Sequence, residues 1–443
     1  MEAELPSAKT WPVRILLATA TATALLALTA PQVFGATKSA RAVKTAVNPW
    51  PTPPFAAWIK SDFGYVRDKP THASKLVALL RLGDSVKVVG CAPSCDVAHP
   101  WALLEPRGAV PLSHLRAGEP DAVAKMTGSS ATYFYGRTPR ARTPVFAKPD
   151  ANSKVIRKEK AEFRLAFVPN AYLSEMGWVQ RPDGGYMRKA DLKLFTPSTF
   201  VGQKDPETPL AFVRRKVALR LPGQRKPPKI ADQITWHARY DRLPVHGLRG
   251  DKVEVKGGWL PKSLVRIVNA VERPQGVSTS DRWLHVDLGQ QFISAYEGDK
   301  MVYATLVSTG KSGRASTRTH TGRFELYGKT VHGSMRGKPW DDYYAEEVPY
   351  VMHFDGGRAL HGAYWHDQFG IEKSHGCINL SPADAAWIFA WATPAVPAGW
   401  HNVLPTNWGG PVVTVMVDSP NKRETKPRKL AFAPLPQLAV AKR

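Results

Sequence analysis

Apolar and polar residues alternate in short runs along most of the chain. Ser85-Val-Lys-Val-Val, Arg282-Trp-Leu-His-Val-Asp-Leu, Gln290-Gln-Phe-Ile-Ser-Ala-Tyr and Met301-Val-Tyr-Ala-Thr-Leu-Val-Ser keep this period of two, the signature of half-buried strands. Gly298-Asp between two of these runs is a hairpin turn signal. Further strands are expected at Thr319-His-Thr-Gly-Arg-Phe-Glu-Leu, Tyr350-Val-Met-His-Phe, Arg358-Ala-Leu-His and Val412-Val-Thr-Val-Met-Val. One stretch breaks the period. Pro382-Ala-Asp-Ala-Ala-Trp-Ile-Phe-Ala-Trp reads as a short helix, with Ser381 as its N-cap and Pro382 in the first helical position. The fold class expected is mostly β.

A repeat underlies the first half. A strand-rich unit closes at Gly108-Ala-Val-Pro-Leu-Ser-His-Leu, again at Gly185-Tyr-Met-Arg-Lys-Ala-Asp-Leu, and a third time at Gly258-Trp-Leu-Pro-Lys-Ser-Leu. The period is about 75 residues. Three small β domains are therefore expected at 59–118, 130–197 and 208–270, the third the weakest match, followed by a larger β-rich domain at 280–418. The basic, proline-containing segments 37–58 and 419–443 read as a linker and a loose tail.

Composition narrows the class. Hydrophobic residues make up 43% of 443 residues, enough for a core, and 38 prolines and 34 glycines fit a turn-rich β chain. A disordered chain and a polytopic membrane protein are excluded. Lys and Arg total 61 against 37 Asp and Glu, a net charge of +24, which favours polyanionic partners: nucleic acid or the anionic polymers of a bacterial envelope. The segment 1–36 decides between them. Arg14 precedes the apolar, small-residue run from Ile15 to Ala30, and Val33 and Gly35 suit a cleavage site. This is the form of a secretory signal, with an uncleaved anchor as the alternative and the membrane as a partner only in that case. An exported, periplasmic or cell-envelope protein is expected, and nucleic acid is set aside. In that oxidising setting Cys91 and Cys95 are expected to form a local disulfide rather than stay as two loop thiols, which leaves Cys377 unpaired.

Cys377 lies in the chemically densest stretch. Leu360-His-Gly-Ala-Tyr-Trp-His and Ser374-His-Gly-Cys-Ile-Asn place His361, His366, His375 and Cys377 close together in sequence. One reading is a thiol nucleophile. A free thiol with a pKa near ~8.5 needs an imidazole or backbone dipoles to ionise at neutral pH. His361 and His375 are the available bases, Gly376 lets backbone N–H groups approach an oxyanion, and Ser374 can orient a ring or cap the turn. The other reading is a zinc site built from His361, His366, His375 and Cys377, for which a paired-ligand framework is only half present. The nucleophile is preferred.

These residues resemble the signature of the bacterial L,D-transpeptidases: a His, a gap, then Ser/Thr-His-Gly-Cys, a hydrophobic residue and Asn or Arg. Val307-Ser-Thr-Gly, Thr319-His-Thr-Gly-Arg-Phe and the Ser381 helix resemble further family segments, with His320 where the family has proline. The likeness runs from about Asp281 to Val417. The first two repeat units resemble bacterial SH3-like domains, which implies small barrels serving as spacers or weak wall-binding modules. The resemblance implies a Cys377 thioester formed on a peptidoglycan stem peptide, with His361 shuttling protons, His375 orienting the thiol and flanking the oxyanion site, and Gly376 lending a backbone donor. Asn379 would shape the substrate cleft, with Tyr350, Met352, Phe354, Tyr364 and Trp365 as its walls. No metal or organic cofactor is needed for this chemistry. Transfer to an amine would cross-link stems. Hydrolysis at the same site, as in an L,D-carboxypeptidase, and a catalytically inactive wall-binding protein are the alternatives.

Overall fold

The computed structural model describes residues 50–227, 231–337 and 343–419. The expected signal segment 1–36, the linker up to residue 49 and all but the first residue of the tail lie outside the described residues. The chain is mostly β, and no helix among the described residues is long and apolar enough to cross a membrane.

The C-terminal half holds two sheets around one core. In the first, strands follow the order Gln203–Lys204, Lys300–Leu306, Phe292–Glu297, Arg282–Asp287, Thr414–Asp418 and Gly322–Glu325. Arg282–Asp287 and its neighbour Thr414–Asp418 run parallel. In the second, Gly328–Arg336 and Tyr344–Asp355 form a long antiparallel pair. Tyr344–Asp355 turns through Gly356 (φ +54°) onto the short strand Arg358–Gly362. That strand pairs in parallel with Ile378–Leu380. Leu284, Val286, Ile293 and Val415 of the first sheet meet Met352, Phe354, Leu360, Ile378 and Leu380 of the second.

The helix Pro382–Trp391 closes this core. It begins where expected: Ser381 Oγ accepts the Asp384 N–H at 3.1 Å, and Pro382 occupies the first turn, where its missing N–H costs nothing. Ala385 and Ile388, three apart on one face, pack inward. Truncating Leu360 or Ile378, both fully buried, to Ala would cost about 2–5 kcal/mol and would loosen the two strands that frame the site.

The repeat units pack against the C-terminal half rather than standing apart from it. The first forms a seven-stranded sheet over Phe55–Ala117, but its core of Ile59, Val66, Val77, Leu80 and Val110 is completed by Trp400 and Val403. Backbone hydrogen bonds Ser85 N–H to Gly399 O (3.0 Å) and Leu404 N–H to Val77 O (2.8 Å) fix this contact. The Cys91–Cys95 disulfide is present, with Cα atoms 5.0 Å apart.

The second unit divides. Four of its strands make their own sheet, while Lys193–Leu194, Phe134–Arg137 and Arg164–Phe167 extend the second C-terminal sheet, with Arg164 opposite Ala345 in parallel register. The third unit packs around Ala211, Val213, Val253, Leu260 and Ile267. Its Leu210 and Phe212 face the other way, against Trp283 and Tyr296 of the catalytic half.

Candidate active site

The Ser374–Cys377 turn is built by its own polar atoms. Gly376 has φ +123°, a conformation side chains rarely adopt, and a Cβ there would press on Arg358 at 3.0 Å. Ser374 Oγ accepts the Gly376 N–H at 3.1 Å and donates to the Cys377 carbonyl. Thr319 Oγ1 donates to the Gly376 carbonyl (2.9 Å) and accepts the Gly310 N–H (2.8 Å). The segments containing Gly310 and Thr319 therefore brace the turn from behind. Ser308 and Asn379 add a reciprocal backbone pair at 2.9 Å in each direction.

His361 sits on the neighbouring strand. In the parallel register Leu360 faces Ile378 and His361 faces Asn379. Cys377 lies in the turn that leads directly into Ile378–Leu380, so the turn enters the sheet beside the strand that carries His361. His361 is 1% exposed. Its Nδ1 lies 3.3 Å from the Gly362 carbonyl, which can only accept. Nδ1 therefore carries the hydrogen and Nε2 holds the lone pair. Burial pushes the imidazole down to about 4, against the opposing Gly362 bond and with a smaller contribution from His353.

Cys377 is half-buried. Burial pushes its thiol up; the Ala359 N–H and the Arg358 guanidinium act in the opposite direction. Arg358 is itself anchored. Its Nε donates to the Arg318 carbonyl at 3.0 Å, Nη1 lies 3.3 Å from Asp355, and Nη2 meets His320 Nε2 at 3.0 Å. His320 Nδ1 is 2.8 Å from the same carboxylate. The sequence reading missed Arg358. His320, standing in place of the family's proline, was the signal that this corner is built differently.

The other expected site residues separate into two groups. Ser374 caps the turn. The Gly376 N–H is engaged by Ser374, so its assignment as an oxyanion donor is corrected. His375 is exposed and stacks on Tyr343, ring centroids 5.5 Å apart. The Asn379 side-chain amide meets His366 Nε2 at 3.0 Å. Trp365 is half-buried and its ring tilts against His361 at 5.6 Å. Tyr350 is half-buried with its ring on Phe389.

Met352, Phe354 and Tyr364 do not wall a cleft. Met352 and Phe354 point into the inter-sheet core. Tyr364 is fully buried, stacks on Tyr135 at 3.7 Å and donates to the Glu346 carbonyl at 2.9 Å. The four residues weighed as zinc ligands are likewise dispersed: His366 is held by Asn379 and His375 lies out on Tyr343. Among the described residues no three His, Cys, Asp or Glu side chains are grouped to hold a metal.

Comparison with known proteins agrees with this geometry. Residues 281–413 match the family model described as YkuD, L,D-transpeptidase catalytic domain. No curated protein matches the chain. Among solved structures, an L,D-transpeptidase from Enterococcus faecium is similar at 24% identity and a TM-score of 0.25, covering 31% of this chain and 50% of that one. One from Mycobacterium smegmatis is 18% identical with a TM-score of 0.25, covering 52% of this chain and 89% of that one. The chain thus spans about half the length of the E. faecium protein, and the assignment rests on the family match, not on these superpositions. With that match covering the turn of Cys377, the strand of His361 and the helix behind them, the chain carries over residues 281–413 a catalytic domain of the YkuD L,D-transpeptidase family.

Proposed function

We propose that the protein is an exported L,D-transpeptidase that acts on peptidoglycan stem peptides through a Cys377 thioester. The observation that supports this reading is the parallel pairing of Arg358–Gly362 with Ile378–Leu380, which sets His361 beside Asn379, two residues past Cys377. Burial leaves both groups neutral at rest, the imidazole pushed down and the thiol pushed up. The pair therefore works by proton transfer at the moment of attack rather than as a standing thiolate.

The steps follow from that state. His361 Nε2 takes the thiol proton as Sγ attacks the carbonyl of the third residue of a donor tetrapeptide. The tetrahedral intermediate collapses, the terminal D-alanine leaves with the proton from His361, and a thioester remains. The amine of a neighbouring stem's diamino acid then attacks, His361 accepts its proton, and the thiol is released with a new amide formed. With the Gly376 N–H engaged, the Cys377 N–H is the backbone donor assigned to the oxyanion, and Arg358 adds positive charge beside it. Trp365, half-buried against His361, borders the approach.

The repeat units tether the domain to the wall, where the net positive charge suits carboxylate-bearing peptides and anionic polymers. The test is incubation of the purified protein with tetrapeptide-stem muropeptides and mass analysis, with Cys377→Ala as control. Cross-linked dimers are expected. Tripeptide stems alone would establish hydrolysis, and no Cys377-dependent change would leave a wall-binding protein.

A further inference from the structure

One cation from outside the catalytic segment reaches the site. Arg164 lies on the second repeat unit's strand Arg164–Phe167, whose parallel pairing sets it opposite Ala345. Its guanidinium carbon is 5.4 Å from the Tyr343 ring centroid and 5.3 Å from that of Trp365. Tyr343 stacks on His375, and Trp365 leans on His361. A single guanidinium thus contacts the rings that border both histidines of the motif.

Its charge balance differs from that of the cations around it. Arg239 is ion-paired with Asp367 at 3.2 Å, and Lys373 donates to Gln368 at 2.6 Å. Together with Lys373 and Arg239, and behind the larger effect of burial, Arg164 helps to push His366 down to about 3. Yet Arg164 is half-buried, and among the described residues no carboxylate lies within ion-pair distance of it. Aromatic rings cover the faces of a guanidinium and leave its N–H edge, which matches a carboxylate in a two-point grip.

We propose that Arg164 is a substrate-binding residue that grips a carboxylate of the stem peptide, so that the second repeat unit forms part of the active site. This rests on the stem-peptide reading above and names a determinant of specificity that the catalytic segment does not contain.

The test is calorimetric titration in the Cys377→Ala background, where nothing turns over. Three synthetic tetrapeptide stems serve as probes: one with all carboxylates free, one with its side carboxylates amidated and one with its C-terminal carboxylate amidated. The free stem should bind about tenfold more tightly than one of the amidated stems, as expected for a charge-assisted pair of hydrogen bonds, and that stem identifies the carboxylate held. Arg164→Met should erase the preference, and Arg164→Lys should retain part of it. The ratio is taken within each variant, so a partly unfolded sample does not alter it. A preference that survives Arg164→Met, or no preference in the parent, overturns the proposal. Failure of the enzyme to convert muropeptides would refute the reaction while leaving this binding ratio measurable.

Discussion

Two arginines of the second repeat unit cross to the catalytic half, and they do so in opposite ways. Arg181 is 2% exposed and grips Glu346 at 2.8 Å, with Glu159 at 3.4 Å. Arg164 is half-buried, lies against aromatic rings and faces the histidine motif. The first is matched by a carboxylate of the protein. The second has no carboxylate within ion-pair distance among the described residues, which is why a ligand carboxylate is proposed for it. Arg81 of the first unit repeats the pattern of Arg181, pairing with Glu347 at 2.9 Å on the same long strand. The seam is therefore closed by paired charges, whereas Arg164 has no such pair among the described residues.

The largest expected effect tests the seam. Arg181→Met should destabilise the protein by about 3–5 kcal/mol, because Glu346 would be left buried and unpaired. Thermal melting measures this, and Arg181→Met with Glu346→Met should recover much of the loss. If the single variant melts like the parent, the seam is not held by these charges.

Acid should act next, and unevenly. Burial lowers His332 to about 3, and His353 and His361 to about 4, below the unfolded value of 6.5. The unfolded chain then binds protons that the folded one does not. Stability is present above pH 6.5 and is lost as pH falls toward 4, at roughly 1.4 kcal/mol per unit for each such group. A melting series from pH 7.5 to 4.5 checks this. Hydrogen exchange should show the strands around His353 and His361 opening before the first repeat unit does.

Gly376→Ala comes third. It forces a left-handed conformation on a residue with a side chain and should cost about 1–3 kcal/mol, with a disproportionate loss of turnover if the turn carries, as proposed, the nucleophile Cys377. The smallest effect is electrostatic. Arg358→Met should slow iodoacetamide labelling of Cys377 severalfold at pH 8 while changing stability by no more than about 1 kcal/mol. In the parent, labelling should still be rising with pH past the ordinary thiol range, because burial holds the thiol up. A plateau below pH 8 would contradict a neutral resting pair.

The Ser374–Cys377 turn was legible because its contacts are local. Ser374, Gly376 and Cys377 act on one another within four positions, and His361 is one parallel strand away. The cap of the Ser381 helix was legible for the same reason. The cleft walls were not. Alternation in Tyr350-Val-Met-His-Phe shows that Met352 and Phe354 share a face, but not whether that face meets a second sheet or a groove. Nor could a period of about 75 residues reveal that the second unit donates strands to another sheet, since that depends on Arg164 meeting Ala345 across a long stretch of chain. Arg164 itself is one basic residue in an ordinary strand, and only its neighbours in space distinguish it.

The return of Trp400 and Val403 to the first repeat unit also governs the order of assembly. The strands translated early cannot seal their interior until a segment translated very late arrives to fill it. Maturation should then be a late, cooperative event, and a fragment ending before Trp400 would expose Val77 and Leu80 to proteases.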